Sequence, residues 1–234
     1  MTSAADHKPR VRSALEPRSL LRIPALMLVT DEPRLRGRSL EDVARSAVLG
    51  GVTAVQLREK ERSHSAVVTI ASRLRDAIAS DATLFVNSDI DAAFVLSSSG
   101  VHLPEDGASI ADARARLGPD VLISRAVHSV EAAIRADHDG ADIVQLGTVF
   151  ETASKPGRAG IGLDGVRAVC ASVRVPVIAI GGINASNAGD VIRAGASGVA
   201  VIGAILDADD PCAAAAALRE AIDAAFAAGR SSCA

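Results

Sequence analysis

Two short apolar segments near the C-terminal end, residues 175–180 and 199–202, constrain the fold of this chain more than any other feature. Both are continuously apolar rather than alternating, which is typical of parallel strands that are covered on both faces. Between them, residues 188–194 carry apolar side chains at helical spacing, and Gly195 follows where a helix would end. The region is therefore predicted to fold as strand, helix, strand.

Glycine follows each of these two predicted strands. Because glycine has no Cβ, a ligand can approach the backbone there, and amides at the start of a following helix can hold an anion. In (β/α)₈ barrels, the loops after the seventh and eighth strands are the usual place for such a phosphate site. The sequence predicts phosphate binding at Gly181, Gly182, Ile202, Gly203 and Ala204.

If these are the last two strands of a barrel, six β/α units must precede them. Strand candidates alternate with helix candidates along the chain; the strands are 25–30, 52–57, 83–86, 101–103, 121–124 and 143–146, and the helices are 40–49, 65–80, 91–97, 110–117, 130–137 and 164–172. The predicted fold class is α/β, a (β/α)₈ TIM barrel. A doubly wound open sheet is the alternative, but it would normally carry a glycine-rich fingerprint after its first strand, and residues 30–33 contain no glycine.

Length and composition fit a single domain. The chain has 234 residues, 49% of them apolar, and no break in composition that would indicate two domains. We assign 24–227 to the barrel, 1–23 to a disordered leader whose charged, aperiodic composition buries too little surface, and 228–234 to a flexible tail. An organelle transit peptide is the alternative for the leader, and its acidic residues Asp6 and Glu16 count against it.

Charge and cysteine usage indicate the kind of partner and compartment. The net charge is −3 without a basic cluster in the barrel, which argues against nucleic acid. The sequence contains no run of about 18 apolar residues, the length needed to span a bilayer. Its three cysteines form no CxxC pair, which is typical of proteins in a reducing cytosol. We predict a cytoplasmic protein that binds a small anionic molecule, and the sequence leaves a homo-oligomeric state open.

Polar residues lie at the predicted C-terminal ends of the strands, where barrel active sites are built. A single Arg or Lys in a loop is most often a solvated charge, but cations, histidines and anion-binding amides on one rim together favour a substrate site. The candidate substrate-binding residues are Gln56, Arg58, Lys60, Asn87, His102, Thr152, Ser154 and Lys155.

His128, which follows predicted strand five together with Arg125, is the candidate catalytic residue. Its ordinary pKa of about 6.5 suits proton transfer near neutrality. The alternative is a space-filling residue before a helix capped by Ser129. His102 also has two interpretations, since its strand could place it in the core. Residues 147–162 form a long glycine-rich segment, which predicts a mobile lid or a surface excursion.

Six motifs together resemble the thiamin phosphate synthase/TenI superfamily of barrels, over nearly all of residues 25–210. They are Leu28-Val-Thr-Asp31, Val55-Gln-Leu-Arg-Glu-Lys60, Gly100-Val-His-Leu103, the loop from Gly147 to Lys155, Ile178-Ala-Ile-Gly-Gly-Ile183 and Gly198-Val-Ala-Val201. The resemblance implies one of two activities. Synthases join a pyrimidine pyrophosphate to a thiazole phosphate with magnesium, whereas TenI-type thiazole tautomerases aromatise the thiazole synthase product without a metal.

The synthase motifs that bind magnesium differ in this chain. The synthase Asn-Asp-Arg after strand three reads Asn87-Ser88-Asp89, and the last Asp of the synthase His-Leu-Gly-Gln-Glu-Asp is Gly107. A synthase Ser before the strand-five histidine is Ala126 here. A magnesium-bound pyrophosphate needs hard oxygen ligands, and the two expected carboxylates are missing.

The resemblance therefore favours a thiazole tautomerase, an isomerase without metal or cofactor, in which His128 transfers the proton and Lys155 or Arg58 pairs with the substrate carboxylate. The first alternative is a magnesium-dependent thiamin phosphate synthase, a transferase, with Asp89 or Asp106 supplying a shifted metal site. The second is a non-catalytic barrel that binds thiazole phosphate or has a regulatory role.

Overall fold

The structure is a computed structural model that describes residues 21–59, 62–152, 157 and 160–231. Within these residues, eight parallel strands follow one another in sequence order around a closed barrel. Pairing of Ala25 with Gly198 and of Leu28 with Val201 joins the first strand to the last. The predicted (β/α)₈ barrel is confirmed.

The strands are β1 Ala25–Val29, β2 Ala54–Arg58, β3 Thr83–Asn87, β4 Gly100–Leu103, β5 Leu122–Val127, β6 Ile143–Gly147, β7 Val177–Ile180 and β8 Gly198–Val201. A short 3₁₀ helix, Glu32–Leu35, follows β1. The α-helices are α1 Leu40–Leu49, α2 His64–Ile78, α3 Ile90–Val95, α4 Ile110–Leu117, α5 Val130–His138, α6 Gly162–Ser172, α7 Ala188–Arg193, α8 Gly203–Leu206 and α9 Pro211–Ser231.

Hydroxyl and carboxylate caps define the start of five of these helices. The side chains of Ser39, Ser63, Asp89, Ser109 and Ser129 each accept a hydrogen bond from the amide three residues later. Each cap satisfies a helix amide that otherwise lacks a partner, which is worth about 1 kcal/mol. These caps place the helix starts, and therefore the preceding loops, at defined positions on the barrel.

The barrel interior is apolar towards the N-terminal ends of the strands. Alternate strand residues point inwards, and Met27, Phe85, Leu122, Ile143 and Ile178 are among the buried side chains that pack there. The Phe85 ring fits because Gly100 lies beside it, since a Cβ at that glycine would be 2.4 Å from a ring carbon. Because these side chains fill the barrel at the N-terminal ends of the strands, the C-terminal ends are left for a site.

Two segments differ from the sequence prediction. β5 continues three residues past the predicted end at 124, so Arg125 lies within the strand. The guanidinium can be buried there because loop carbonyls accept its hydrogen bonds. α9, which the periodicity did not single out, packs on α1 and α7 and continues through 228–231, part of the segment assigned to a tail.

The predicted leader lies mostly outside the described residues, as do residues 232–234. Of its last three residues, Leu21 is buried with the apolar residues of the barrel interior. No helix in the described part of the chain combines the length and the apolar character needed to cross a membrane.

Candidate active site

A cavity of about 810 Å³ opens at the C-terminal ends of the strands; we call it the mouth. It brings together most of the residues that the sequence predicted for a site. Those that line it are Gln56, Arg58, Asn87, His102, His128, Thr152, Gly181, Gly182, Ile202, Gly203 and Ala204. Lys60, Ser154 and Lys155 lie outside the described residues.

The described ends of the segment 147–162 lie next to each other. Its two ends are joined by backbone hydrogen bonds, from Ile161 N to Thr148 O and from Gly162 N to Val149 O, each 3.0 Å. The central residues, on which the prediction of a lid depends, lie outside the part that the structure describes.

The floor of the mouth is polar and made of carboxamides. Gln145 Nε2 donates to Gln56 Oε1 at 3.0 Å, and Gln56 Nε2 lies 3.4 Å from Asn87 Oδ1. Both glutamines are buried. A buried amide group that lacks a partner is costly, so this connected row is fixed, and it can present hydrogen-bonding groups to a polar ring.

His102 lies beside this row, fully buried, with Nδ1 at 3.0 Å from Ser124 Oγ. Burial lowers the pKa of His102 to about 3, and the charges of Arg125 and Arg58 act in the same direction. The ring is therefore neutral at physiological pH. His102 is both a core residue and a mouth residue, so both of its sequence interpretations describe part of its position.

One wall of the mouth carries His128, whose Nδ1 is 2.6 Å from Glu105 Oε2. Both side chains are about 30% exposed, so the pair faces the cavity without being free in solvent. Glu105 comes from the β4–α4 loop and His128 from the β5–α5 loop. The contact joins two consecutive loops at the rim.

The buried Arg125 guanidinium donates hydrogen bonds to backbone carbonyls of the β4–α4 loop. Its Nη1 donates to Pro104 O at 2.5 Å and its Nη2 to Ala108 O at 2.6 Å. Burial lowers the pKa of this guanidinium, while Asp139 and Glu105 act in the opposite direction. Arg125 does not line the mouth. Its hydrogen bonds stabilise the β4–α4 loop instead.

The opposite wall carries two more carboxylates. Thr30 Oγ1 donates to Glu59 Oε1 at 3.0 Å and accepts from Arg58 N at 2.9 Å. Burial raises the pKa of Glu59, and the hydrogen bond from Thr30 opposes this shift. Asp207, beyond α8, pairs with Arg34 at 2.5 Å.

Asp89 and Asp106, the candidates for a shifted metal site, do not line the mouth. The Asp89 carboxylate accepts from Ala92 N at 2.8 Å and lies 2.7 Å from His64 Nδ1. Asp106 is exposed in the β4–α4 loop. The structure does not bring these two aspartates into the cavity.

Sequence reasoning missed several residues of the mouth, namely Glu59, Glu105, Gln145, Arg34 and Asp207. Gln145 had a signal, since it is the one polar residue in the apolar stretch 143–146. The others lie in charged stretches of the sequence, where nothing separates them from solvated neighbours.

A family model described as thiamine monophosphate synthase matches residues 26–205, which span β1 to α8. The chain belongs to the thiamine monophosphate synthase family. It is 43% identical to a thiamine-phosphate synthase of Chloroflexus aurantiacus over 196 residues, 83% of this chain and 90% of the relative. It is 42% identical to a thiamine-phosphate synthase of Methanoculleus marisnigri over 207 residues, 88% of this chain and 98% of that one.

Among solved structures, the thiamine phosphate pyrophosphorylase from Pyrococcus furiosus is similar to this family member. The TM-score is 0.78 at 34% sequence identity, and the match covers 86% of this chain and 96% of that chain.

The prediction of a thiazole tautomerase, an isomerase, is wrong. Relatives that are 40–43% identical over most of the chain are named thiamine-phosphate synthase, which favours the transferase alternative. The prediction depended on a few positions, above all Ser88 and Gly107, and both are exposed. Ser88 lines the mouth and Gly107 does not, and the similarity to synthases extends over most of the chain around both positions.

Proposed function

We propose that this protein is a thiamine-phosphate synthase, which joins a pyrimidine pyrophosphate to a thiazole phosphate. The observation that carries the proposal is the similarity to two proteins of that name over 83% and 88% of this chain. The mouth supports it, because it combines glycine turns suited to a phosphate with an arginine and a histidine on other strands.

The reaction makes one bond and breaks one. A thiazole nitrogen forms a bond to the carbon that carries the pyrophosphate, the C–O bond breaks, and its electron pair leaves with the pyrophosphate oxygen. The protein must therefore hold two anionic substrates close together and stabilise the charge that develops on the leaving group.

The thiazole phosphate is assigned to the loops after β7 and β8. Gly181 and Gly182 have φ of +108° and +64°, and a Cβ at Gly182 would be 2.6 Å from Glu151 O. Only glycine adopts this turn without strain and lets the segments after β6 and β7 approach each other this closely. Ile202, Gly203 and Ala204 complete the phosphate loop from the neighbouring strand.

The pyrophosphate is assigned to the side of the mouth that carries Arg58 and His128. Arg58 is the last residue of β2, and His128 follows β5, so both face the cavity from strand ends. A guanidinium binds phosphate oxygens with charge-assisted hydrogen bonds, and an imidazolium can donate to the leaving oxygen. Lys60, Thr152, Ser154 and Lys155 stay predicted contributors from the adjoining loops.

The pyrimidine is assigned to the amide row on the floor. Gln56, Asn87 and Gln145 are held by one another, and neutral His102 lies beside them. A ring with amino and ring-nitrogen groups matches such alternating donors and acceptors.

A cytoplasmic location belongs to the same proposal, since Cys170 and Cys212 are free thiols among the described residues.

The synthase resemblance implies magnesium, and the described residues do not fit a preformed site for it. They contain no group of three His, Cys, Asp or Glu side chains that could hold a metal. Asp89 is occupied as a helix cap and by His64, Ser88 offers only an exposed hydroxyl, and Gly107 has no side chain. The steps proposed above use only side chains and amides of this chain.

The decisive experiment supplies the purified protein with both substrates and measures thiamine phosphate by liquid chromatography, with and without added magnesium. Reactions that lack either substrate are the controls. We expect product only when both substrates are present. Saturable binding of thiazole phosphate without any product would contradict the proposal and favour a non-catalytic binding barrel.

A further inference from the structure

We propose that Glu105 and Arg125 are positioning residues that fix the tautomer and orientation of His128 in the mouth. This inference rests on the proposed function, because the ring acts on a substrate only if the mouth is the active site. The geometry itself, however, can be tested without any reaction.

The first step is the contact between Glu105 and His128. An ionised carboxylate only accepts hydrogen bonds, so the proton of the neutral ring lies on Nδ1, which is 2.6 Å from Glu105 Oε2. This distance is typical of a strong, charge-assisted hydrogen bond. Nε2, the other ring nitrogen, is left as the atom that can meet a ligand.

The second step concerns what holds the Glu105 carboxylate in place. Glu105 lies in a loop between β4 and α4, and a loop by itself does not hold a side chain within tenths of an ångström. Arg125 donates to the carbonyls of Pro104 and Ala108, which flank Glu105 in sequence. Its guanidinium is anchored in β5, and the residue is only 8% exposed.

The third step is that Arg125 lies behind the mouth rather than in its lining. It does not line the mouth, and its hydrogen bonds go to the carbonyls of the β4–α4 loop. Gly107 N also donates to Pro104 O at 3.0 Å, which closes the same loop on itself. Arg125, the loop and Glu105 therefore form one support behind His128.

This support explains what His128 can do. With Nδ1 held, the protonated ring stays paired with a carboxylate that balances its charge, and it donates Nε2–H to the leaving pyrophosphate oxygen. The same logic applies to a carboxylate that orients a catalytic histidine in hydrolases. In this proposal, Glu105 supplies orientation and charge balance to the His128 ring.

The first test reads the tautomer directly. Full-length protein labelled with ¹⁵N-histidine is measured by NMR at a pH where the ring is neutral, and the His128 signals are assigned by their loss in His128→Asn. We expect the Nδ1–H form in the wild type, a mixture of tautomers in Glu105→Ala, and recovery of the Nδ1–H form in Glu105→Gln, whose amide oxygen also accepts. Asp112→Asn, which changes an exposed aspartate of α4 that does not line the mouth, is the matched control and should match the wild type.

The second test uses turnover. Glu105→Ala is expected to lower kcat by roughly tenfold to a hundredfold, a part of the 10²–10⁴ that a general acid contributes, with KM for thiazole phosphate changed less than about twofold. Arg125→Met should produce the same mixed tautomer spectrum. Glu105→Ala and Asp112→Asn keep the test decisive if Arg125→Met does not fold.

The outcomes separate this inference from the proposed function. An inactive protein in which Glu105→Ala still changes the His128 tautomer retains the positioning role and loses the synthase assignment. An active synthase whose His128 spectrum is the same in the wild type and in Glu105→Ala overturns the positioning role.

Discussion

Arg34 and Asp207 form an ion pair across the phosphate side of the mouth, with 2.5 Å between Nη1 and Oδ2. The pair joins the 3₁₀ helix after β1 to the end of α8, and it lies against Gly203. A Cβ there would be 2.5 Å from Asp207 Oδ2 and 3.1 Å from Arg34 Nη1. A phosphate at Gly203 would therefore meet one carboxylate and one guanidinium at close range.

Asp207→Asn should tighten the binding of thiazole phosphate, and Arg34→Gln should weaken it. Removing the carboxylate removes a repulsion and leaves the arginine, whereas removing the arginine leaves the carboxylate against the phosphate. Because the pair is partly exposed, we expect changes of roughly threefold to tenfold in Kd. Calorimetry at fixed ionic strength measures them. The control is Asp209→Asn, another exposed aspartate close in sequence; equal effects of the two aspartate variants would contradict a local role for Asp207.

Gly182→Ala should abolish or strongly weaken phosphate binding, while Gly140→Ala should not. Both glycines have positive φ, +64° and +91°, so an alanine is strained at either position. Only at Gly182 would the new Cβ meet other atoms, with Glu151 O at 2.6 Å, whereas nothing lies within 4 Å at Gly140. Thermal unfolding and calorimetry with thiazole phosphate separate the two effects. Unchanged affinity in Gly182→Ala would refute the assignment of this loop.

The order of strands and helices could be predicted because it depends on local patterns. Parallel strands covered on both faces read as apolar runs, and the caps Ser39 and Ser129 mark helix starts. The end of β5 could not be predicted in the same way. A charged residue in the sequence indicates a strand end, but Arg125 is buried, since the carbonyls of a distant loop accept its hydrogen bonds.

The site could be predicted in part for the same reason. Glycine turns and polar residues at strand ends pointed to the mouth, because all C-terminal strand ends meet at one rim. The pairing of Glu105 with His128 could not be read from the sequence, since 23 positions separate the two residues and the intervening loop is held by Arg125. The choice between two activities depended on a few positions, above all Ser88 and Gly107, and the similarity of most of the chain to synthases outweighs them.

His102 predicts how stability depends on pH. Its folded pKa is lowered to about 3, whereas an unfolded histidine titrates near 6.5. Between these values the unfolded chain binds a proton that the folded chain does not, so this residue removes stability as the pH falls. At pH 5 the loss relative to neutral pH is about 2 kcal/mol.

His102→Asn removes this titration. Between pH 7 and pH 5, the free energy of unfolding of the variant should therefore fall less than that of the wild type. The difference between the two decreases should be about 2 kcal/mol. Urea unfolding at both pH values measures the difference, and all other titrating groups cancel in the comparison. Parallel pH dependence in the two proteins would show that the ring takes up its proton in the folded state.

His128→Ala should lower turnover by roughly 10²–10⁴-fold while substrate affinity stays close to that of the wild type, because general acid catalysis acts in the transition state. Steady-state kinetics and equilibrium binding of thiazole phosphate measure the two quantities separately. An equal loss of affinity and turnover would instead identify His128 as a binding residue.

Magnesium titrated into the protein alone should show no saturable binding at millimolar concentrations. Magnesium prefers carboxylates in an octahedral arrangement together with waters and substrate phosphates, and the described residues offer no such cluster. Asp89 uses its carboxylate on Ala92 N and on His64, and Asp106 does not line the mouth. Calorimetry with and without pyrophosphate tests this, since pyrophosphate brings its own oxygen ligands. Saturable binding by the protein alone that disappears in Asp89→Asn or in Asp106→Asn would show that one of these aspartates holds the ion.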